Sequence, residues 1–138
     1  MLNRIQYLAV AALPALLACA SSSSESGGTT PRPFSNVLTR AELQEVDARN
    51  AYEAIDRLRP RWLMVRGGRS INVETDIVVY QERSYLGTVA EGVLERIGTE
   101  GIYEIRYLDG TTAKATLLGI SDRHVQGAII IYMSQPPD

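Results

Sequence analysis

Cysteine and histidine are almost missing from this 138-residue chain, where Cys19 and His124 are the single examples of each. A lone cysteine excludes an internal disulfide and leaves the folded part with no thiolate for metal or nucleophilic work. One histidine without a cysteine cluster does not assemble a zinc site. Excess positive charge is also lacking. The 14 Lys and Arg are set against 16 Asp and Glu, which argues against general nucleic-acid binding. The glycines at Gly67-Gly68 and Gly110 form no phosphate-binding pattern. Ser121, Asp122 and His124 are the residue types of a hydrolytic triad, but neighbours this close in sequence rarely converge in the geometry that nucleophilic attack requires, so they read as a loop. Glu91 and Glu95 are spaced to share a helix face, yet two carboxylates do no acid–base work without a cleft that shifts one pKa. The sequence therefore predicts a protein that is not an enzyme and holds neither metal nor cofactor.

What the chain does have begins at its N-terminus. Arg4 precedes an apolar stretch from Ile5 to Ala18. About fourteen residues are too few to span a bilayer comfortably, which favours a cleaved segment over a retained anchor. The stretch closes on Leu16-Leu17-Ala18-Cys19, followed by Ala20 and four serines. This run resembles the signal of bacterial lipoproteins, in which the cysteine becomes the first mature residue and carries a diacylglyceryl group and usually a further acyl chain such as palmitate. The resemblance implies lipidation at Cys19 and anchoring to the cell envelope. Ala20 lacks the aspartate that marks inner-membrane retention in enterobacterial lipoproteins, so it also implies the outer membrane. Loss of Arg4 with residues 1–18 leaves 13 basic against 16 acidic residues, a charge of about −3.

Residues 19–38 then read as the lipidated cysteine and a flexible linker rich in Ser, Gly, Thr and Pro. About 20 such residues reach roughly 25 Å, which holds a domain near the membrane but clear of the headgroups. Residues 39–134 read as one small domain, with 135–138 as a tail. A domain of just under a hundred residues can build one core, and packing must stabilise it. Thr39 and Glu42 form a capping-box pattern, and Leu43, Val46, Ala51, Ala54, Ile55 and Leu58 recur at helical spacing. Together they predict one helix from Arg40 to Leu58, ended by Pro60. Asp47 and Asn50 fall inside its apolar stripe. Buried polar groups must find partners, so these two are expected to pair, to cap a neighbouring loop or to meet a ligand.

Downstream, Trp62 to Val65 form an apolar patch before a Gly67-Gly68 turn, and Ile77 to Tyr80 read as a strand. Thr88 and Glu91 repeat the capping box ahead of a short helix ended by Gly98. Ile102 to Leu108 alternate as a strand, Asp109-Gly110 reads as a turn, and Ala113 to Leu118 as a helical turn or two closed by Gly119. Ala128 to Met133 are apolar on both faces, as expected of a strand in the middle of a sheet. This order predicts an α+β fold, a small mixed β-sheet with packed helices.

The stretch from Val65 to Ser134 resembles a shortened plug domain of the TonB-dependent outer-membrane receptors. Val65-Arg66-Gly67-Gly68 is similar to the plug's Ile-Arg-Gly segment, and Ile77-Val78-Val79-Tyr80 to the strand before its Val-Asp-Gly turn. Leu94-Glu95-Arg96-Ile97 and Ile102 to Leu108 resemble its helix and Ile-Glu-Val-Leu strand. Gly119 matches the glycine of a Tyr-Gly pair, and Gly127-Ala128-Ile129-Ile130-Ile131 the closing Gly-Val-Ile-X-Ile strand. Ala51-Tyr52-Glu53-Ala54-Ile55 extends the likeness upstream. The chain departs from the pattern at Glu82-Arg83, where plugs carry Asp-Gly, and at Leu118, where they carry an aromatic residue. A transmembrane barrel needs many alternating segments of about ten residues, and none follows, so the chain is not expected to be a transporter itself. The likeness implies a non-enzymatic binding module with an envelope protein as partner, linked to a receptor system of this type.

Charge supplies the alternative. Arg57, Arg59, Arg61, Arg66 and Arg69 lie within thirteen residues that contain no Asp or Glu. Guanidinium groups match phosphate and carboxylate geometry, so the cluster is a candidate surface for anionic lipid in a structural envelope lipoprotein. The plain reading is a solvated, ion-paired surface.

Overall fold

The computed structural model describes residues 35–65 and 75–136. Cys19, the signal stretch, the Gly67-Gly68 turn, Arg66 and Arg69 lie outside the described residues. The fold is α+β, with a mixed five-stranded sheet and helices on both of its faces. The strands are β1 (Val37–Thr39), β2 (Asp76–Gln81), β3 (Ser84–Thr88), β4 (Glu104–Asp109) and β5 (Val125–Tyr132), and their order across the sheet is β1-β4-β5-β2-β3. The last strand in sequence occupies the centre, antiparallel to β4 and parallel to β2. That position explains its composition: a strand covered above and below reads as a continuous apolar run, and Gly127 to Ile131 are all buried.

Alternation of side chains divides the core in two. On one face Ile77, Val79, Ile105, Ile129 and Ile131 pack under α1 (Arg40–Glu45) and α2 (Ala51–Leu58) with Leu43, Ala54, Ile55, Leu94 and Trp62. On the other, Val78, Tyr80, Ala128 and Ile130 pack under α3 (Gly110–Thr116) with Ala113 and Ile120. Each aliphatic side chain removed from water in this way contributes about 1.5–3 kcal/mol before entropy is set against it.

The single helix expected from Arg40 to Leu58 is two helices. Thr39 caps α1 with the predicted box, its backbone N–H reaching Glu42 Oε2 at 3.0 Å. The chain then extends at Val46, and Asn50 caps α2 by accepting from the Glu53 N–H at 2.9 Å. Asp47 is exposed. The two polar residues that broke the apolar stripe thus mark the interruption, where a side-chain oxygen competes with helix continuation. The interruption is filled from outside: Ala51 N–H donates to Ile97 O at 2.8 Å and the Thr99 hydroxyl to Ala48 O at 2.6 Å.

Other boundaries also move. β1 begins in the stretch read as linker, at Val37 and Leu38, and three residues are too few to show alternation. β3 has no periodic signal because it is an edge strand with exposed residues and a register shift opposite Val79 and Tyr80. The Asp109-Gly110 turn is instead the start of α3. Asp109 is the N-cap, and Gly110 is pressed against the Val125 carbonyl, where no Cβ fits. Val89 to Ile97 forms two 3-10 turns, Val89–Glu91 and Leu94–Arg96, because Gly92 between them adopts φ 68°.

At the β2–β3 turn, Glu82 takes φ 55°, a left-handed conformation that costs a side-chain-bearing residue about 1–2 kcal/mol. Glu82→Gly is therefore expected to leave stability unchanged or raise it by up to about 1 kcal/mol in a denaturant titration.

Candidate functional site

At one end of the helix-covered face, the chain leaving α2 turns sharply. Pro60 starts a 3-10 turn, Pro60–Trp62, because its ring fixes φ and it needs no donor there. The turn drives Trp62 toward the sheet, where its ring stacks on Tyr107 of β4 with centroids 5.6 Å apart and planes inclined by 17°. Tyr107 in turn lies over Gly127 of β5, where an added Cβ would stand 2.6 Å from the Tyr107 Cζ. Glycine, tyrosine and tryptophan are thus piled on one another, and the absent side chain at Gly127 makes the pile possible. Gly127→Ala is expected to push both rings outward and to cost about 1–3 kcal/mol, an overpacking penalty readable as a lower unfolding midpoint with altered near-ultraviolet dichroism.

The pile borders a groove of about 630 Å³ lined by Ser35, Asn36, Leu58, Arg59, Pro60, Arg61, Trp62, Tyr107, Asp109 and Gln126. Its volume is within the range of ligand pockets, and its lining sets two aromatic rings among polar and charged residues. Asp109 supplies the anionic rim. It accepts the Thr111 and Thr112 N–H groups at 3.0 Å each, and the Thr112 hydroxyl at 2.7 Å. The Thr112 hydroxyl and N–H hold this carboxyl below the usual carboxylate range, against a smaller opposing effect of burial. Arg61, also in the lining, is exposed. The Gln126 side-chain amide donates to Met64 O at 3.0 Å.

Beneath the groove, Arg59 is buried. Its guanidinium donates to Glu42 Oε1 at 2.8 Å, to Leu58 O at 2.9 Å and to Ser35 O at 3.3 Å. Side-chain exposure is 2% for Arg59 and 5% for Glu42, so Arg59 does not belong to an anion-facing surface. Arg57 is exposed, pairs with Glu53 and donates to Asp47 O at 2.9 Å. The five arginines expected to form one basic face are therefore divided: Arg59 inside, Arg57 and Arg61 outside, and Arg66 and Arg69 outside the described residues. The local reason is that α2 ends between Arg57 and Arg59, and the Pro60 turn carries the latter inward.

Burial pushes the Glu42 carboxyl up, but the Thr39 N–H, the hydrogen bond and charge of Arg59 and the Thr39 hydroxyl together outweigh it and hold the group below its ordinary value. A carboxyl lowered by folding stabilises the fold above its unfolded pKa, and that contribution is lost as pH falls through the folded value. Glu53, lowered by the Arg49 N–H and two arginine charges against burial, acts in the same direction, as does Asp109. Thermal midpoints measured from neutral pH downward are expected to hold until the ordinary glutamate range and then to fall.

The other sequence candidates do not converge. Ser121, Asp122 and His124 are exposed along one loop. Glu91 receives the Thr88 N–H at 2.7 Å as a cap, and Glu95 sits in the next 3-10 turn, so the two do not share a helix. Among the described residues no group of three or more His, Cys, Asp or Glu is placed to hold a metal ion, and no helix is long and apolar enough to cross a membrane. From the sequence, Trp62 reads only as part of an apolar patch and Tyr107 only as a residue of an alternating strand. The usable signal was the single tryptophan of the chain two residues after a helix-ending proline. No protein-family model, curated protein or solved structure matches the chain.

Proposed function

We propose that this chain is a lipid-anchored, non-enzymatic binding module of the bacterial outer membrane, tethered through Cys19, whose plug-like α+β domain engages an envelope protein through the groove beside Trp62. The observation that supports this reading is the groove itself: a stacked aromatic wall, an ionised carboxylate and an exposed guanidinium, set on a rigid sheet. Aromatic anchors ringed by polar groups are the usual makings of a protein interface. The likeness to receptor plugs points to a component of a TonB-dependent receptor system as the partner. The lipid-contact alternative draws less support, because Arg59 is committed to Glu42 inside the fold and Arg57 to Glu53.

The test is crosslinking in intact cells, followed by detergent extraction, affinity capture and mass spectrometry. Capture of the same envelope protein in each repeat, reduced by Arg61→Asp at the groove rim and by Cys19→Ser at the anchor, is the expected result. Recovery of lipid and abundant bystanders alone would favour a structural role instead.

A further inference from the structure

The groove beside Trp62 does not stop at Asp109. A second recess of about 470 Å³ adjoins it and is lined by Asp109, Gly110, Thr111, Lys114, Val125 and Gln126. Asp109 and Gln126 belong to both linings, whereas Arg61 lines only the first and Lys114 only the second. Both cations are exposed, and neither has an ion pair among the described residues. Asp109, shared by both recesses, is ionised and already accepts three donors from Thr111 and Thr112. In a chain with a formal net charge of −2, this surface therefore offers one uncommitted cation in each recess. It suits negative charge, but not negative charge in a continuous row. A polyphosphate or a run of lipid headgroups would bring one anion onto Asp109, and like charges set against each other cost affinity. Two carboxylates held apart by an uncharged stretch avoid that contact. An extended peptide supplies such spacing, and grooves with aromatic walls take its apolar side chains.

We infer that the two recesses form one trough for an extended segment of the partner protein that carries two separated carboxylates, one met by Arg61 and the other by Lys114, with uncharged side chains between them over Pro60 and Tyr107. The inference rests on reading the groove as the partner site, and it names the chemistry of what the partner presents there. It also gives a role in recognition to Lys114, the only lysine of the chain.

The experiment uses the full chain in detergent with end-blocked synthetic peptides in which two aspartates flank an apolar stretch of graded length. A carbodiimide joins a bound carboxylate to the Lys114 amine as an amide, and because the chain has no other lysine the adduct is readily assigned by mass spectrometry. The expected result is coupling that peaks at one spacing and exceeds that of an isomer with adjacent aspartates. In Arg61→Gln it should fall about two- to fivefold, which is what one exposed ion pair is worth. Equal coupling of spaced and adjacent isomers, no coupling at any spacing, or coupling indifferent to Arg61→Gln would overturn the inference. Displacement of the peptide by inorganic polyphosphate at matched ionic strength would also overturn it and give the trough to a polyanion. If the peptides fail while partner capture in cells still depends on Arg61, the trough is wrong and the groove reading stands. If the peptides couple as expected while capture ignores both Arg61→Asp and Lys114→Gln, the groove reading fails instead.

Discussion

Arg59→Met is expected to destabilise the domain by about 3–5 kcal/mol, a large share of the roughly 5–15 kcal/mol that holds a domain of this size. The cost comes less from the lost attraction than from what stays behind. Glu42 would keep its place under the helices at 5% side-chain exposure with no cation beside it. The guanidinium also ties three pieces of chain together: the capping box of α1 through Glu42, the end of α2 through Leu58 O, and the start of β1 through Ser35 O. Removing both charges is a different experiment. Glu42→Leu with Arg59→Met leaves no buried charge, and double apolar replacements of such pairs are often neutral or stabilising. The double variant is therefore expected to recover most of the loss in urea unfolding, and its midpoint to respond less to acid. A double variant as weak as Arg59→Met would show that the chain-tying hydrogen bonds, and not the stranded charge, dominate.

The second large effect is expected at Trp62. Trp62→Ala removes a side chain that is 5% exposed, and truncations of this kind cost about 3–5 kcal/mol through lost transfer energy and the cavity left behind. Tyr107 would lose its stacking partner and the groove one wall. Trp62→Phe keeps an aromatic ring and should retain much of the stability. Partner capture is expected to fall with Trp62→Ala even under conditions where circular dichroism shows the variant folded. Full capture by a folded Trp62→Ala protein would remove the aromatic wall from the binding account.

The sequence signals that proved readable were those written in local physics. Thr39 and Glu42 formed the predicted capping box because both partners lie within one turn. Ala128 to Met133 read as a strand in the middle of the sheet because cover on both faces leaves no polar alternation, and β5, Val125–Tyr132, takes that place three residues earlier at its start. Asp47 and Asn50 were visible as an inconsistency in a helix stripe, and the inconsistency was the break itself. What stayed hidden depends on distant contacts. β3 is shaped by its pairing with β2 and not by its own pattern. The groove joins residues from 35 to 126, and nothing in the spacing of Trp62, Tyr107 and Gly127 announces that they stack. Arg59 looked like a member of an arginine run, and only the turn at Pro60 decides that it goes inside while Arg61 does not.

The central place of β5 sets when this protein can fold. Before residues 125–132 have been made, β4 has only the three residues of β1 to pair with, and β2 has only its hairpin partner β3. Two-stranded fragments of that kind are marginal in water. The sheet closes only when the final strand slides between them, joining β2 and β4 across the gap. In a chain emerging from the ribosome the described sheet therefore cannot close until residues 125–132 are released, which makes its assembly one of the last events of synthesis for this domain.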